Sequence, residues 1–372
     1  VKKGAGILGG FTPKTLLVGG LGRGGKGYFG LDITGAKSIA TESELADRLL
    51  WEFPRSVDPD MGYSFSKAVT VPSNSAMHPW VVIFGNGYNS ESGKSALYIV
   101  SPATGELIKR IDADPGPENG LSSPVAVDAT YDGRVDFVYA GDLQGKLWKF
   151  DLSDKNADQW KVAYGKDMSP QPLFQAKGPA GSNQPITTRP DVMHHPDKHG
   201  FIVCFATGKY LGDSDLEDVS VQSIYGIWDY GDRAYTLKSK KWSDDDDLEY
   251  IGRFDRGGSP ALSNQPATAS LLRQKQKVFT VRSGGIDYRV RLLGNSEPSW
   301  VAKADPDHAT RQKPDPSDSV DNHVGYYFDL NPGERVIGDV MIRGGNLLAI
   351  GFTPIKDPCG PGGDSIFMEI NA

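Results

Sequence analysis

The sequence has few cysteines and no long apolar run, and each shortage excludes a common class of protein. Its two cysteines, Cys204 and Cys359, lie too far apart to form a short-spacing metal or redox motif, and the sequence leaves open whether they pair. No stretch approaches ~18 consecutive apolar residues, so we expect no membrane-spanning helix. The residues after Val1 lack the apolar core of a signal peptide, so we expect an exported protein of this type to continue upstream.

Basic residues are also in the minority. Lysine and arginine number 40 against 47 aspartates and glutamates, which gives a net charge of −7, and no basic stripe is visible. Because proteins bind phosphate backbones with clustered lysines and arginines, we expect no nucleic-acid partner.

Glycine, proline and aromatic residues are plentiful instead. The chain has 45 glycines and 25 prolines, and 10% of its residues are aromatic, a composition typical of many short strands joined by tight turns. A unit of strand, glycine turn and strand recurs along the chain. It is clear in residues 15–35, 80–105 and 135–154, it is looser in 201–232 and 346–371, and a sixth copy can be assembled from 277–293 and 325–333.

The second strand of each unit shares a frame of an aromatic residue or Leu, two residues, an apolar residue and a closing Asp, Ser or Asn. This frame fits a strand that packs bulky side chains between neighbouring sheets and ends in a turn. All-β repeats of roughly 50 to 75 residues predict propeller blades rather than a helical solenoid. The frame is found at residues 28–32, 97–101, 147–151, 225–229, 325–329 and 367–371.

Few segments depart from this pattern. We predict one helix over residues 41–53, which starts at a Thr cap, and a second short helix over 153–160. Residues 169–190 and 304–322 are predicted loops. Three tryptophans in or beside predicted strands are predicted core residues: Trp80, Trp148 and Trp228.

The strongest local motif is a nine-residue loop, Asp128–Asp136, between two strand-like segments. Oxygen-bearing side chains occupy its positions 1, 3, 5 and 9, and a glycine at position 6 permits a sharp turn, after which the carbonyl of residue 7 can face inward. A hard cation such as Ca²⁺ takes roughly six to eight oxygen ligands, so this register predicts a calcium loop of the EF-hand type without flanking helices. The predicted ligands are the side chains of Asp128, Thr130, Asp132 and Asp136 and the carbonyl of Arg134.

A simpler interpretation of the loop stays open. The Asp-Gly pair is also typical of an ordinary hairpin turn, in which case the other aspartates are surface residues. Thr130 stands where such loops more often have Asp or Asn, and its neutral hydroxyl is expected to weaken the affinity for calcium.

No other catalytic or metal motif is as strong. The sequence has no G-x-S-x-G or HExxH motif. His194, His195 and His199 resemble a metal cluster, but Pro196 disfavours the helix that would align them. A surface loop is the simpler interpretation of these histidines.

Two acidic runs and one glycine run are also more simply loops. Residues 243–249 are typical of a solvated acidic loop. Residues 212–218 alternate aspartates but have no glycine at the turn position. The glycines of residues 19–27 lead into a strand rather than a helix, which indicates a turn and not a phosphate loop.

Taken together, the segments closely resemble the C-terminal domain of the PilC/PilY family of type IV pilus tip-associated adhesins and biogenesis proteins. The resemblance follows the family order over nearly the whole chain and is carried by residues 16–34, 84–90, 122–153, 206–211 and 223–229. It implies one modified, quinoprotein-like β-propeller of seven blades over residues 1–372, the C-terminal part of a longer protein of a Gram-negative bacterium. Because six repeats are visible, the first blade is expected to be incomplete or missing.

The resemblance also implies a function and a location. The family's calcium loop falls in the same place, so its ligands map onto the five residues given above and Ca²⁺ is the expected cofactor. Family members oppose pilus retraction and contribute to twitching motility and host-cell adhesion, with calcium as the switch. The expected partners are minor pilins, the assembly machinery and a host receptor, at the pilus tip or outer membrane after periplasmic transit. Some members carry an Arg-Gly-Asp integrin motif, which this chain lacks.

Two alternatives compete with this hypothesis. A quinone-dependent dehydrogenase would share the propeller repeats, but we expect it to have adjacent cysteines and an assembled base, which the sequence lacks. We therefore expect no enzyme, and quinone absorbance of the purified protein distinguishes the two. A purely structural propeller with a lapsed calcium site would keep the same metal content and pilus number in Asp132→Ala.

Overall fold

The computed structural model of the chain describes residues 14–54, 56–166, 169–230, 269–294, 296–300, 302–305, 308–314, 322–356 and 362–372. The chain divides into two compact units, residues 1–142 with 149–163 and residues 143–148 with 164–372. Strands predominate in both units, which confirms the predicted all-β class.

In the first unit, the strands form antiparallel sheets in chain order. The first sheet consists of β1 (Leu16–Gly20), β2 (Tyr28–Asp32) and β3 (Leu49–Phe53), and the second of β4 (Val69–Pro72), β5 (Trp80–Gly85), β6 (Ser95–Val100) and β7 (Leu107–Asp114). The third runs β8 (Val125–Val127), β9 (Phe137–Gly141), β10 (Lys146–Asp151) and β11 (Lys161–Val162). Every residue of β6 and β9 is buried, which accounts for their nearly uninterrupted apolar sequences.

Aromatic side chains fill the core between the first two sheets. The rings of Tyr28 and Phe84 stack with their centroids 3.9 Å apart. The indole of Trp51 lies against two glycines, Gly30 and Gly105, and its Nε1 donates to the carbonyl of Pro102 at 2.9 Å. A Cβ at Gly30 would lie 2.3 Å from the indole, so this packing requires glycine.

The second unit contains both short hairpins and larger sheets. Its strands are β12 (Tyr164–Lys166), β13 (Ser169–Gln171), β14 (Phe174–Gln175), β15 (Asp191–His194), β16 (Phe201–Ala206), β17 (Ser223–Asp229), β18 (Ala269–Arg273), β19 (Gln276–Ser283), β20 (Ile286–Leu293), β21 (Ala302–Asp305), β22 (His308–Pro314), β23 (Asn322–Asp329), β24 (Arg335–Val336), β25 (Met341–Arg343), β26 (Asn346–Pro354) and β27 (Gly363–Asn371).

These strands pair in two ways. Strands β12 and β13, β19 and β20, and β21 and β22 form two-stranded pairs, and β14 pairs with the start of β10. One larger sheet has the order β15-β16-β17-β23-β18, in which β18 runs parallel to β23. In the other, β24, β25 and β27 all pair with β26.

Helices are few and short, as expected, but the predicted bounds were too wide. Helix α1 spans Glu42–Ala46 and begins with a capping box between Thr41 and Glu44. The rest of the predicted helix is a turn at residues 47–48 and strand β3, because Trp51 and Phe53 alternate into the core and β3 pairs with β2. The predicted second helix is only a 3₁₀ turn, Ala157–Gln159. The described residues contain two more such turns, Ala36–Ser38 and Asp213–Leu216.

The repeat frame predicts strands correctly but not always their partners. Five of the six frame segments lie wholly within strands, namely β2, β10, β17, β23 and β27, and the sixth lies in β6 except for its closing residue, Ser101. The sixth unit was wrong as assembled, because residues 277–293 lie in the β19–β20 hairpin whereas residues 325–329 pair with β17. The predicted loops also contain short strands, β13 and β14 in the first and β22 with the end of β21 in the second.

Side-chain burial corrects one core prediction and locates one cysteine. Trp148 and Trp228 are buried, but Trp80 is 43% exposed because it is the first residue of β5. The thiol of Cys204 is free, lies 3.6 Å from the hydroxyl of Tyr326, and has its pKa raised to about 12 by burial. Cys359 lies outside the described residues. Within the described ranges, no helix is long and apolar enough to span a membrane.

Candidate metal centre

The loop Asp128–Asp136 connects β8 to β9, two neighbouring antiparallel strands. Two of its residues have left-handed backbone torsions, Tyr131 at φ 58° and Gly133 at φ 82°. A Cβ at Gly133 would have nothing within 4 Å, so the backbone torsion rather than space favours glycine there. The glycine predicted to form the sharp turn therefore does so.

The first carboxylate of the loop lies inside this turn. The two oxygens of Asp128 accept hydrogen bonds from the amides of Asp132 at 3.2 Å and Gly133 at 2.7 Å. Asp132 is exposed, and its Oδ1 accepts the amide of Arg134 at 3.0 Å. The Arg134 guanidinium is at the limit of an ion pair with Asp132, 3.9 Å away. Loop amides thus hold the carboxylates at positions 1 and 5.

The last carboxylate, Asp136, is the buried anchor of the loop and is only 3% exposed. Its Oδ2 accepts three hydrogen bonds, from the amides of Ala129 and Thr130 at 2.9 and 3.0 Å and from the Thr130 hydroxyl at 3.1 Å. Its Oδ1 accepts one from Asn74 Nδ2 at 3.1 Å. Burial raises the pKa of Asp136 and outweighs these hydrogen bonds, which favour the carboxylate.

The donor chemistry of the loop fits a hard cation, since every predicted ligand atom is an oxygen. No three His, Cys, Asp or Glu side chains in the described residues converge to hold a metal ion, so the coordination predicted for the loop stays a prediction. A carboxylate has about four acceptor positions, and Asp136 already accepts four hydrogen bonds. Three of these bonds fall on Oδ2 and one on Oδ1, so Oδ1 is the oxygen of Asp136 with room for an ion, and the Thr130 hydroxyl oxygen keeps its lone pairs while it donates to Oδ2.

The residue that sequence reasoning missed is Asn74. It follows β4 and is 62 positions from Asp136. Its amide donates to Asp136 and also to the carbonyl of Val135, at 2.9 Å. The local sequence, Pro-Ser-Asn-Ser, indicates only a turn, so no signal near the loop pointed to this contact.

The structure separates the three histidines of the alternative metal cluster. His195 is buried, and its Nδ1 accepts the amides of Asp197 and Lys198 at 3.2 and 3.0 Å. Its ring packs edge-on against two tryptophan rings, and burial lowers its pKa to about 4. His194 instead contacts the ring of Phe201, and the carbonyl of His199 accepts the indole of Trp228. These three histidines, all within the described residues, therefore form no cluster that could hold a metal ion.

The remaining candidates have structural roles or cannot be located. The glycine-rich residues 19–27 comprise the end of β1 and the turn to β2, and a hydrogen bond from the Leu21 amide to the Gly27 carbonyl at 3.1 Å closes this turn. The acidic residues 212–218 contain a 3₁₀ turn, Asp213–Leu216. Residues 243–249 lie outside the described residues.

Comparisons with known proteins give one consistent result. A family model described as the PilY1 beta-propeller domain matches residues 8–242. The type IV pilus biogenesis factor PilY1 of Pseudomonas aeruginosa strain UCBPP-PA14 is 32% identical over 383 residues, which cover 96% of this chain and 30% of that protein. A PilY1 homolog of Xylella fastidiosa strain Temecula1 is 41% identical over 230 residues, covering 59% of this chain and 15% of that protein.

A solved structure agrees with the sequence matches. The crystal structure of the Pseudomonas aeruginosa PilY1 C-terminal domain is similar with a TM-score of 0.72 at 29% identity, over 96% of this chain and 66% of that one. The chain therefore spans under a third of the length of the two curated relatives, and about two thirds of the solved domain.

Proposed function

Because the chain belongs to the PilY1 β-propeller family, we propose that it is the propeller part of a type IV pilus biogenesis factor. The observation that carries the proposal is similarity over 96% of the chain, both to a PilY1 sequence and to the solved PilY1 C-terminal domain. The same matches confirm the family resemblance and the β-propeller class. The count of seven blades stays a prediction.

The proposed role is that of a surface protein without catalytic activity. It opposes pilus retraction, supports twitching motility and contributes to host-cell adhesion, as a part of a longer protein. The proposed partners are minor pilins, the assembly machinery and a host receptor. The proposed location is the pilus tip or outer membrane, reached through the periplasm. The names of the relatives support the pilus role, and the family resemblance supports the rest.

The proposed regulatory element is the Asp128–Asp136 loop, which would hold calcium with the five predicted ligands. Bound calcium would supply positive charge that offsets the repulsion among three carboxylates on one short loop. Asp132 is exposed and Asp128 is half-buried, whereas Asp136 is buried and is bonded from outside the loop by Asn74. Ligation exchanges hydrogen bonds within the loop for bonds to the ion, and the loop thereby acts as a local order–disorder switch.

Calorimetric titration of chelator-stripped protein with calcium tests the proposed site. We expect saturable heat from the natural chain and none from Asp132→Ala, because that change removes an exposed carboxylate from the loop. Asp213→Ala is the matched control, since it removes an exposed aspartate from the other acidic run, and it should bind like the natural chain.

A second arm of the experiment tests the role in cells. Bacteria that carry Asp132→Ala in the full-length protein should have fewer surface pili and reduced twitching. Equal heats from all three proteins would reject the calcium loop and leave the pilus role to rest on the family alone. Normal pilus number after deletion of the whole protein would reject the pilus role itself.

A further inference from the structure

The calcium loop is hydrogen-bonded to the connection between β4 and β5, residues 73–79. The amide of Val135 donates to the carbonyl of Pro72 at 2.9 Å, and Ser73 and Val135 form a parallel bridge. Asn74 Nδ2 donates in return to the Val135 carbonyl at 2.9 Å and to Asp136 Oδ1 at 3.1 Å. The backbone of Val135 is thus bonded to the end of β4, and Val135 and Asp136 both accept from the Asn74 side chain of the connection.

The β4–β5 connection is itself a compact turn. The amide of Ser73 donates to the carbonyl of Pro79 at 3.1 Å, and the Ser73 hydroxyl donates to the carbonyl of His78. The amide of Ser75 donates to the Ser73 hydroxyl at 3.2 Å. At its tip, Met77 is 85% exposed. The connection therefore has an ordered base next to the loop and an apolar side chain in solvent.

Asn74 is placed to control the orientation of Asp136. Both of its bonds come from the amide nitrogen, which has two protons to donate. Of the four hydrogen bonds that Asp136 accepts, three come from residues 129 and 130 of the loop itself, and the fourth comes from Asn74. The three loop donors belong to the segment that would rearrange around an ion, whereas Asn74 bonds Asp136 from outside that segment.

We propose that Asn74 is a positioning residue for the calcium loop and couples occupancy of the loop to the order of residues 73–79. This inference rests on the proposed calcium site. Groups that orient metal ligands from outside change metal affinity by about 10- to 100-fold when removed. Because the side chain that orients Asp136 belongs to the connection, fixing Asp136 on an ion also fixes the connection.

The first test is hydrogen exchange of the natural chain with and without calcium, which needs no variant. Calcium should slow amide exchange in residues 128–136 and also in residues 73–79. Slower exchange in the loop alone would overturn the coupling.

The second test measures calcium affinity of Asn74→Ala by calorimetry. We expect affinity to fall about 10- to 100-fold, and calcium should no longer slow exchange in residues 73–79 while it still does so in the loop. Asn156→Ala is the matched control, because the hydrogen bonds that this exposed asparagine makes in the described part of the chain join it to its near neighbours Asp154, Asp158 and Gln159 and not to the calcium loop. It should keep the natural affinity and both exchange responses.

The outcomes separate this inference from the proposal beneath it. Natural affinity in Asn74→Ala together with binding lost in Asp132→Ala would reject the role of Asn74 and keep the calcium site. No saturable binding by the natural chain would reject both.

Discussion

Two acidic runs of similar sequence, residues 128–136 and 212–218, fold in different ways. In the first, each carboxylate accepts backbone amides of its own loop, and Asn74 fixes the last one. In the second, Asp215 accepts the amides of Leu211 and Gly212 at 2.7 and 3.1 Å and pairs with Lys209 Nζ at 3.2 Å. A lysine therefore neutralises the buried acid of the second run, whereas a neutral amide bonds that of the first.

The pKa values of the two buried acids, Asp136 and Asp215, are shifted in opposite directions. Burial raises the pKa of Asp136, and the bonds it accepts do not cancel this effect. Burial opposes ionisation of Asp215 too, but the two amides and Lys209 outweigh it and lower the pKa. In the second run, the buried Arg335 also donates to the carbonyls of Lys209, Asp215 and Asp218. Alternating aspartates alone therefore do not predict a metal loop, because the protein's own cations can bind their oxygens.

Among the changes that test this comparison, removal of Arg335 should have the largest effect on the free energy of unfolding. Arg335→Met leaves the carbonyls of Lys209, Asp215, Asp218 and Gly333 without this donor, and we expect a loss of about 3 to 5 kcal/mol in the free energy of unfolding. Urea denaturation in the presence of chelator measures it, with Arg343→Met, on the exposed end of β25, as control. A loss below about 0.5 kcal/mol, the range of ordinary surface changes, would contradict the role given to Arg335.

A matched pair of glycine substitutions should have a smaller effect. An added Cβ meets nothing within 4 Å at either Gly133 or Gly212, but φ is 82° at the first and −155° at the second. Gly133→Ala should therefore lose about 1 to 2 kcal/mol from left-handed strain and weaken calcium binding, whereas Gly212→Ala should not destabilise. Thermal melting and calorimetry check both. Equal effects at the two positions would show that the turn at Gly133 does not require a left-handed residue.

The smallest expected effect is on the pH dependence of stability. Because the pKa of Asp215 is lowered in the folded state, its contribution is present above the ordinary value of 3.8 and is lost as pH falls through the lowered value. The pKa of Asp136 is raised instead, so its contribution to stability is present below 3.8 and declines as pH rises above that value. Asp215→Asn should reduce stability at neutral pH and flatten the acid limb of a denaturation series. If stability fell with acid as steeply in Asp215→Asn as in the natural chain, the lowered pKa of Asp215 would be contradicted.

Local sequence predicted the strands well because each frame segment carries its own pattern of bulky and polar residues. Pairing between distant segments was not predictable in this way. Residues 325–329 pair with β17, although a long stretch of chain separates them, and β18 joins the same sheet in parallel. Strand β3 was predicted as helix because a Thr cap and leucine spacing come first in the sequence, while the partner strand that overrides them is β2.

The candidate site shows the same difference between local patterns, which the sequence predicts, and contacts between distant segments, which it does not. The five predicted ligands are contiguous, so their spacing could be read directly, and the turn at Gly133 is where the spacing predicts it. Asn74 could not be found, because its relation to Asp136 exists only after two sheets have formed. The predicted coordination stays a prediction, since the hydrogen bonds of Asp136 depend on partners that the spacing does not specify.

The indole of Trp51 has a consequence for how relatives of this chain can diverge. Gly30 and Gly105 leave no room for a side chain, since a Cβ would lie 2.3 and 2.7 Å from ring atoms of Trp51. Neither glycine can mutate alone while the tryptophan stays, and a smaller residue at position 51 would leave a void between them. We therefore expect substitutions at these three positions to be coupled during evolution, although the positions are far apart in the sequence.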